Sequence, residues 1–341
     1  MHKFLITTCL TASILIVAQA DGKDKVRVYL LAGQSNMEGK AKISLLEHQA
    51  RLPDADPRLA SLKTSDGNWH ERDDVFIQFL DRKGKLTVGF GSPNCIGPEL
   101  QFGNVMGDHF DDPVVIIKTA WGGKSLWSDF RPPSSGLPQE STLVTMLENQ
   151  KKKIPERTMD EVREQFGHFY REMIAQTRSA MADIGALFPE LKGRTAELEG
   201  IVWFQGWNDM INPDYTAEYT ANMANFIRDA RKDLAAPEVP FVIGVMGVDG
   251  KTPNEKQQAF RDAQAAPASL DEFKGNVAVV QTSDYWDEEA HAVFKKGWKE
   301  HLDEWNSVGS DFPFHYLGSA KTMLGIGQGF ADALLELSAK Q

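Results

Sequence analysis

The apolar positions of this chain follow two alternating rhythms. Residues 26–32 (VRVYLLA) form a nearly unbroken apolar run that stops at Gly33, the pattern of a strand covered on both faces. Residues 114–118 (VVIIK), 200–204 (GIVWF), 239–245 (VPFVIGV) and 277–282 (VAVVQT) repeat it. Between these runs apolar side chains recur at helical spacing, as in Val162, Phe166, Phe169, Met173, Thr177 and Ala180, and again in Tyr215, Tyr219, Met223, Ile227, Ala230 and Leu234. Buried strands alternating with amphipathic helices predict an α/β fold with a central parallel sheet. The last helix is expected at about 321–337. Residues 47–95 and the Pro/Ser-rich passage 131–155 match neither rhythm, and they read as long loop insertions on the functional edge of the sheet.

The first twenty residues change the picture of where this domain works. Lys3 precedes an apolar stretch that ends in Ala18-Gln19-Ala20, the layout of a signal peptide. The expectation is a leader at 1–20, a single domain at 21–341, and a secreted or periplasmic product. No later stretch is long and apolar enough for a spanning helix, so no membrane association is expected after cleavage. The formal charge is −11, and loss of Lys3 makes it more negative by one, which argues against nucleic acid as a partner. Without Cys9 only Cys95 remains, so no internal disulfide can form and stability must come from the core. A chain that is 42% hydrophobic can supply one.

Ligands of open parallel sheets bind at the carboxyl ends of the strands, and three strand ends here are chemically informative. They carry Gly33-Gln34-Ser35-Asn36-Met37, Ala120-Trp121-Gly122-Gly123-Lys124-Ser125 and Gln205-Gly206-Trp207-Asn208-Asp209; a fourth stretch, residues 309–315 (GSDFPFH), precedes the last helix. A lone Ser after a strand is ordinarily a helix cap and a Gly pair a turn. Together these residues make a kit for acyl transfer, because a hydroxyl nucleophile needs a base and a tetrahedral intermediate needs N–H donors aimed at its oxyanion. Met37 stands where the last glycine of G-x-S-x-G would be, which disfavours the α/β-hydrolase elbow.

With these blocks in view, the chain resembles the SGNH hydrolases, and within them the sialate O-acetylesterase-like group that includes carbohydrate esterase family six. AGQSNMEG (32–39) is similar to that group's nucleophile block, KTAWGGKSL (118–126) to its second, WFQGWND (203–209) to its third and FHYLGSAK (314–321) to its histidine block. The resemblance implies a three-layer α/β/α sandwich and a serine esterase that removes O-acetyl groups from carbohydrate without a cofactor. It implies Ser35 as nucleophile, His315 as general base, and an oxyanion hole of the Ser35 N–H, that of Gly123 or Gly122, and a side-chain amide. Many relatives carry Q-G-E-S in the third block. Trp207 and Asn208 stand there instead, so Asn208 is the first choice for the amide and Gln205 the second.

The acid partner is left open among Asp311, Asp209 and Asp284, with a backbone carbonyl as a further alternative. Asp311 is preferred, yet it lies four residues before His315, and Pro313 keeps Phe312 out of the helical region, so the segment must turn back on itself. Trp207, Trp121 and Glu99 are the expected substrate-side residues, with core packing the competing reading for the tryptophans. His48, His70, His109, His168, His291 and His301 lack ligand spacing, so no metal is expected. The competing functions are a carbohydrate-binding protein that has lost the chemistry, and an SGNH lipase or thioesterase with an apolar acyl pocket.

Overall fold

The computed structural model describes residues 25–52 and 55–340; the leader expected at 1–20 lies outside them. Seven strands form one sheet: β1 Lys25–Gly33, β2 Val75–Phe79, β3 Arg82–Lys85, β4 Val114–Ala120, β5 Thr195–Phe204, β6 Phe241–Val245 and β7 Val277–Gln281. Their order is β3-β2-β4-β1-β5-β6-β7, parallel throughout except for the β2–β3 hairpin. All the strands expected from the apolar runs are present.

Helices cover both faces, and two neighbouring residues show it. Trp203 packs on Phe226 (ring centroids 4.5 Å) of the helix Pro213–Asp233, while Phe204 packs on Phe330 (5.4 Å) of the last helix, Ala320–Ser338. Successive side chains of a strand point to opposite faces, so these helices belong to opposite layers of an α/β/α sandwich.

The stretch 47–95 is less of a loop than expected. It holds the end of the helix Ile43–Gln49, the short helix Pro57–Ala60 and the whole β2–β3 hairpin. The hairpin escapes a reading by pattern because β3 is polar (RKGK) and because its turn places Leu80 at φ +54, where Gly or Asn would have signalled a reversal. In 131–155 a helix runs from Glu140 to Lys151, and only Leu143 within it is buried, too little for a periodic signal. The preceding turn is pinned: Asp229 accepts from Ser134 N (2.8 Å) and Ser134 Oγ (2.6 Å), and Arg131 Nε donates to Gly136 O (2.6 Å).

The register delivers three strand ends to one place. Gly33 is level with Ala120 of β4 and with Phe204 of β5, so the chain leaves the sheet at residues 34, 121 and 205 side by side. Close approach at that point requires a glycine, since a Cβ on Gly33 would stand 2.1 Å from Phe204 O. Gly33→Ala is therefore expected to lower stability by roughly 1–3 kcal/mol or more through overpacking. Denaturant melts of wild type and variant check this, and equal midpoints would mean that the strand ends are looser than the geometry implies.

Candidate active site

Just beyond Gly33 the chain makes a single helical turn, Ser35–Glu38. The first N–H groups of a helix have no partner within it, and that of Ser35 meets no acceptor among the described residues. Ser35 is 7% exposed, with its Oγ 3.0 Å from His315 Nε2.

His315 reaches this position through the reversal that its spacing from Asp311 demands. The segment Pro313–Gly318 winds as a tight helix, kinked by Tyr316 (φ +53) and Leu317 (φ +60) in the left-handed region. That fold returns Leu317 O to accept from Ser310 N (2.8 Å) and Asp311 N (3.1 Å), closing the loop. Asp311 Oδ1 then lies 3.1 Å from His315 Nδ1. The buried Nδ1 has no well-aligned acceptor, so the two groups stand in close contact without an aligned hydrogen bond. The same oxygen accepts from Phe312 N at 2.7 Å. Burial would raise the Asp311 carboxyl, but the His315 ring and the Phe312 N–H outweigh it and hold the group below its ordinary value.

The other two acid candidates stand elsewhere. Asp284 is half-exposed and paired with Lys251 (3.2 Å). Asp209 is fully buried and accepts from Leu126 N and Trp127 N (both 2.9 Å) and from Gln205 Nε2 (2.5 Å). Burial pushes its carboxyl up to about 7, against the pull of those donors. It buckles the second block to the third and has no contact with His315.

The candidate oxyanion donors separate in the same way. Gly122 N is spent on Glu38 Oε1 (2.6 Å), whereas Gly123 N, in the left-handed turn at φ +71, has no acceptor among the described residues. Gln205 is fully engaged: Nε2 donates to Lys124 O (2.9 Å) and to Asp209, and Oε1 accepts from Tyr219 Oη (3.2 Å). It has no free donor, which corrects its place as second choice. Asn208 Oδ1 accepts from Gln34 Nε2 (3.2 Å), while Gln34 Oε1 accepts from Gly206 N (3.0 Å). Gln34 thus fixes which way the Asn208 amide faces and leaves its NH₂ uncommitted.

Glu99 is no substrate-side residue. It is fully buried, with Oε2 2.7 Å from Lys118 Nζ and Oε1 accepting from Gly97 N (2.9 Å). Trp207 and Trp121 are half-buried. Trp207 leans on Phe314 (5.5 Å), and Trp121 on Phe169 (5.0 Å) and Phe130 (5.9 Å). Trp127 and Trp286 are core residues.

Four residues inside the quoted blocks had drawn no notice. Gln34 orients Asn208, and Asn36 Nδ2 donates to Phe314 O (3.1 Å), tying the nucleophile turn to the histidine loop. Glu38 accepts from Gly122 N, Lys40 Nζ (2.8 Å) and Ser92 Oγ (3.0 Å), and Lys118 Nζ donates to Glu38 O (2.7 Å). Their place in the quoted blocks, beside Ser35 in AGQSNMEG or at the head of KTAWGGKSL, was the one available signal.

No group of His, Cys, Asp and Glu among the described residues is placed to hold a metal ion, and no helix among them is long and apolar enough to cross a membrane. The arrangement offers a hydroxyl, an imidazole against it, a carboxylate behind the imidazole and N–H donors beside the hydroxyl, the parts required for acyl transfer.

Comparison with known proteins points the same way. The family model described as carbohydrate esterase, sialic acid-specific acetylesterase matches residues 25–304. A probable carbohydrate esterase of Arabidopsis thaliana is 21% identical over 224 residues, which is 63% of this chain and 67% of that one. An Arabidopsis thaliana crystal structure superposes with a TM-score of 0.52 at 17% identity, over 91% of this chain and 97% of that one. A carbohydrate acetylesterase from Xanthomonas citri also gives 0.52, at 14% identity, over 92% of this chain and 57% of that one. At such identities the structural matches speak for the fold.

The three carboxylates should separate by experiment. Asp209→Asn leaves at least one buried N–H without an acceptor and is expected to cost about 1–3 kcal/mol of stability. Asp284→Asn should change neither stability nor turnover. Asp311→Asn should stay folded and lose kcat, because the imidazole loses the charge behind it. Melts and steady-state kinetics on the three variants check this; loss of kcat in folded Asp284→Asn with none in Asp311→Asn would reassign the acid.

Proposed function

We propose that this chain, which belongs to the sialic acid-specific acetylesterase family of carbohydrate esterases and is thus a carboxylic ester hydrolase, removes O-acetyl groups from carbohydrate through an acyl-enzyme on Ser35. The observation that carries the reading is the 3.0 Å contact between Ser35 Oγ and His315 Nε2, made by residues 280 apart in sequence.

In this scheme Ser35 Oγ attacks the acetyl carbonyl carbon as its proton passes to His315 Nε2. The carbonyl oxygen takes up the negative charge and accepts from the N–H groups of Ser35 and Gly123 and from the Asn208 amide. Collapse of the intermediate breaks the bond to the sugar oxygen, which leaves with the proton held by His315. Water then gives a proton to the same ring and attacks the acetyl carbon; the bond to Ser35 Oγ breaks, the proton returns from His315 to Oγ, and acetate leaves. The Asp311 carboxylate stabilises the imidazolium in both halves.

The charged groups around this centre favour a polar substrate over a lipid, and the assembled set favours an enzyme over a binding module that has lost its chemistry. Export through the leader at residues 1–20 belongs to the same proposal, and the substrates are then extracellular or periplasmic glycans.

Ser35→Ala should remain folded, with a stability change of about 1 kcal/mol as for a lost cap, and should lose kcat by at least roughly a thousandfold. His315→Ala should be nearly as damaging and the double variant little worse, since members of such a set act as one unit. Acetate release from acetylated polysaccharides and O-acetylated sialic acids, beside hydrolysis of acetyl and longer p-nitrophenyl esters, provides the readout. Retention of more than roughly a tenth of kcat by Ser35→Ala would reduce Ser35 to a helix cap, and a preference for long acyl chains would favour the lipase reading.

A further inference from the structure

A row of aromatic rings leads away from the proposed site. It begins at Trp207, next to Asn208, and passes to Phe314 (5.5 Å), to Phe312 (5.5 Å, planes within 7°) and to Trp298 (6.3 Å). Phe312 is 48% exposed, although phenylalanine is ordinarily buried, and Trp207, Phe314 and Trp298 are half-buried. Where the row ends, a cavity of about 470 Å³ opens on the far side of Asp311, walled by Phe294, Trp298, Trp305 and Phe312 and edged by the exposed Ser44 and Asn306. It is a second concavity, continuous with the catalytic loop and lined on one side by Asp311.

We infer that this row and cavity form a distal subsite for the sugar units that flank the acetylated one, so that the enzyme acts on glycan chains in preference to single sugars. The inference rests on the esterase reading given above. Sugar rings present flat C–H faces that pack on aromatic rings and a rim of hydroxyls that seeks polar partners, and this surface supplies both, with Ser44, Asn306 and Lys42 around the aromatic floor. An acetyl group is too short to reach from Ser35 along several rings. A long acyl chain would reach, but it has no use for a rim of amide, hydroxyl and ammonium groups. A polymer threaded past Trp207 satisfies the whole row at once.

The test is kcat/KM of the full chain on chemically O-acetylated xylo-oligosaccharides from the monosaccharide to the hexasaccharide, beside p-nitrophenyl acetate and octanoate. In wild type kcat/KM is expected to climb with sugar length. Trp298→Ala should flatten that climb by roughly threefold to tenfold, the worth of one aromatic contact, through KM, with p-nitrophenyl acetate unchanged. Should Trp298→Ala fail to fold, Ser44→Arg, at an exposed position, narrows the mouth of the cavity and should flatten the same series. Acetate release that is independent of sugar length, or a length dependence that both variants keep, overturns the subsite and leaves the esterase reading intact. Loss of octanoate hydrolysis in the variants, with sugars unaffected, overturns it in favour of an acyl pocket. No acetate from any carbohydrate overturns subsite and substrate class together.

Discussion

A single ammonium group, sealed inside the sheet, ties together the edge of the sheet that carries Ser35. Lys118 on β4 has no exposed surface, and its three N–H bonds meet three acceptors: Glu99 Oε2 (2.7 Å), Glu38 O (2.7 Å) and Phe90 O (2.8 Å). Burial pulls the lysine below its ordinary pKa, and the Glu99 carboxylate pulls it back. A buried pair of this kind adds little net stability compared with well-packed apolar residues, yet deleting one partner costs about 3–5 kcal/mol because the other charge is stranded. Its value here is positional. The acceptors belong to the nucleophile turn, to the loop after the β2–β3 hairpin and to the helix Glu99–His109, segments that share no strand. An apolar residue at 118 would leave two backbone carbonyls unsatisfied and the end of the nucleophile turn unanchored.

The nucleophile turn is gripped along its length by side chains of its own. Gln34 spans to Gly206 and Asn208, Asn36 to Phe314 O, and Glu38 to Gly122 N, while Trp121 N donates to Gly33 O (3.2 Å). Between them these bonds reach the second, third and histidine blocks, so all three are positioned relative to residues 33–38. Donors held in place before the reaction need no reorganisation when charge develops, and the uncommitted N–H groups beside Ser35 are held from several sides. Glu38 has a double part. By occupying Gly122 N it leaves Gly123 N uncommitted, which favours Gly123 between two adjacent glycines that spacing alone had left open as candidate donors.

How much was legible follows from the range of the interactions. Strands rich in apolar residues announce themselves as apolar runs, so β1, β4, β5, β6 and the edge strand β7 could be read directly. The β2–β3 hairpin could not, because its edge strand β3 is polar and the leucine in its turn carries no local mark. Ser35 and His315 could be singled out as candidates because they sit in blocks with a recognisable order of residue types, and the fold brings the two into contact. Gln205 and Glu99 look like site residues by type and place, and only their partners, Asp209 with Lys124 in one case and Lys118 in the other, show that they are occupied structural groups. A hydrogen bond between residues 19 or 81 apart leaves no periodic trace in a sequence.

The Asp311–His315 contact shows how an unusual spacing is made to work. Four residues with a proline between them cannot lie on one helical face, and the chain resolves this with two left-handed residues, Tyr316 and Leu317. Both are fully buried, and Tyr316 Oη accepts from Gly247 N (2.7 Å) and lies 2.6 Å from Thr282 Oγ1, so the core holds a conformation that the backbone alone would resist. The carboxylate meets both the imidazole and the Phe312 N–H. Because its folded pKa lies below the ordinary value, its stabilising contribution is complete above the unfolded carboxylate range and fades only as pH falls through the lowered one. Asp311 thus remains charged under all conditions in which a neutral imidazole can serve as base. A modest rotation of His315 would bring this 3.1 Å contact into line as a hydrogen bond, since such bonds are often poorly aligned in a resting site and tighten in its Michaelis complex.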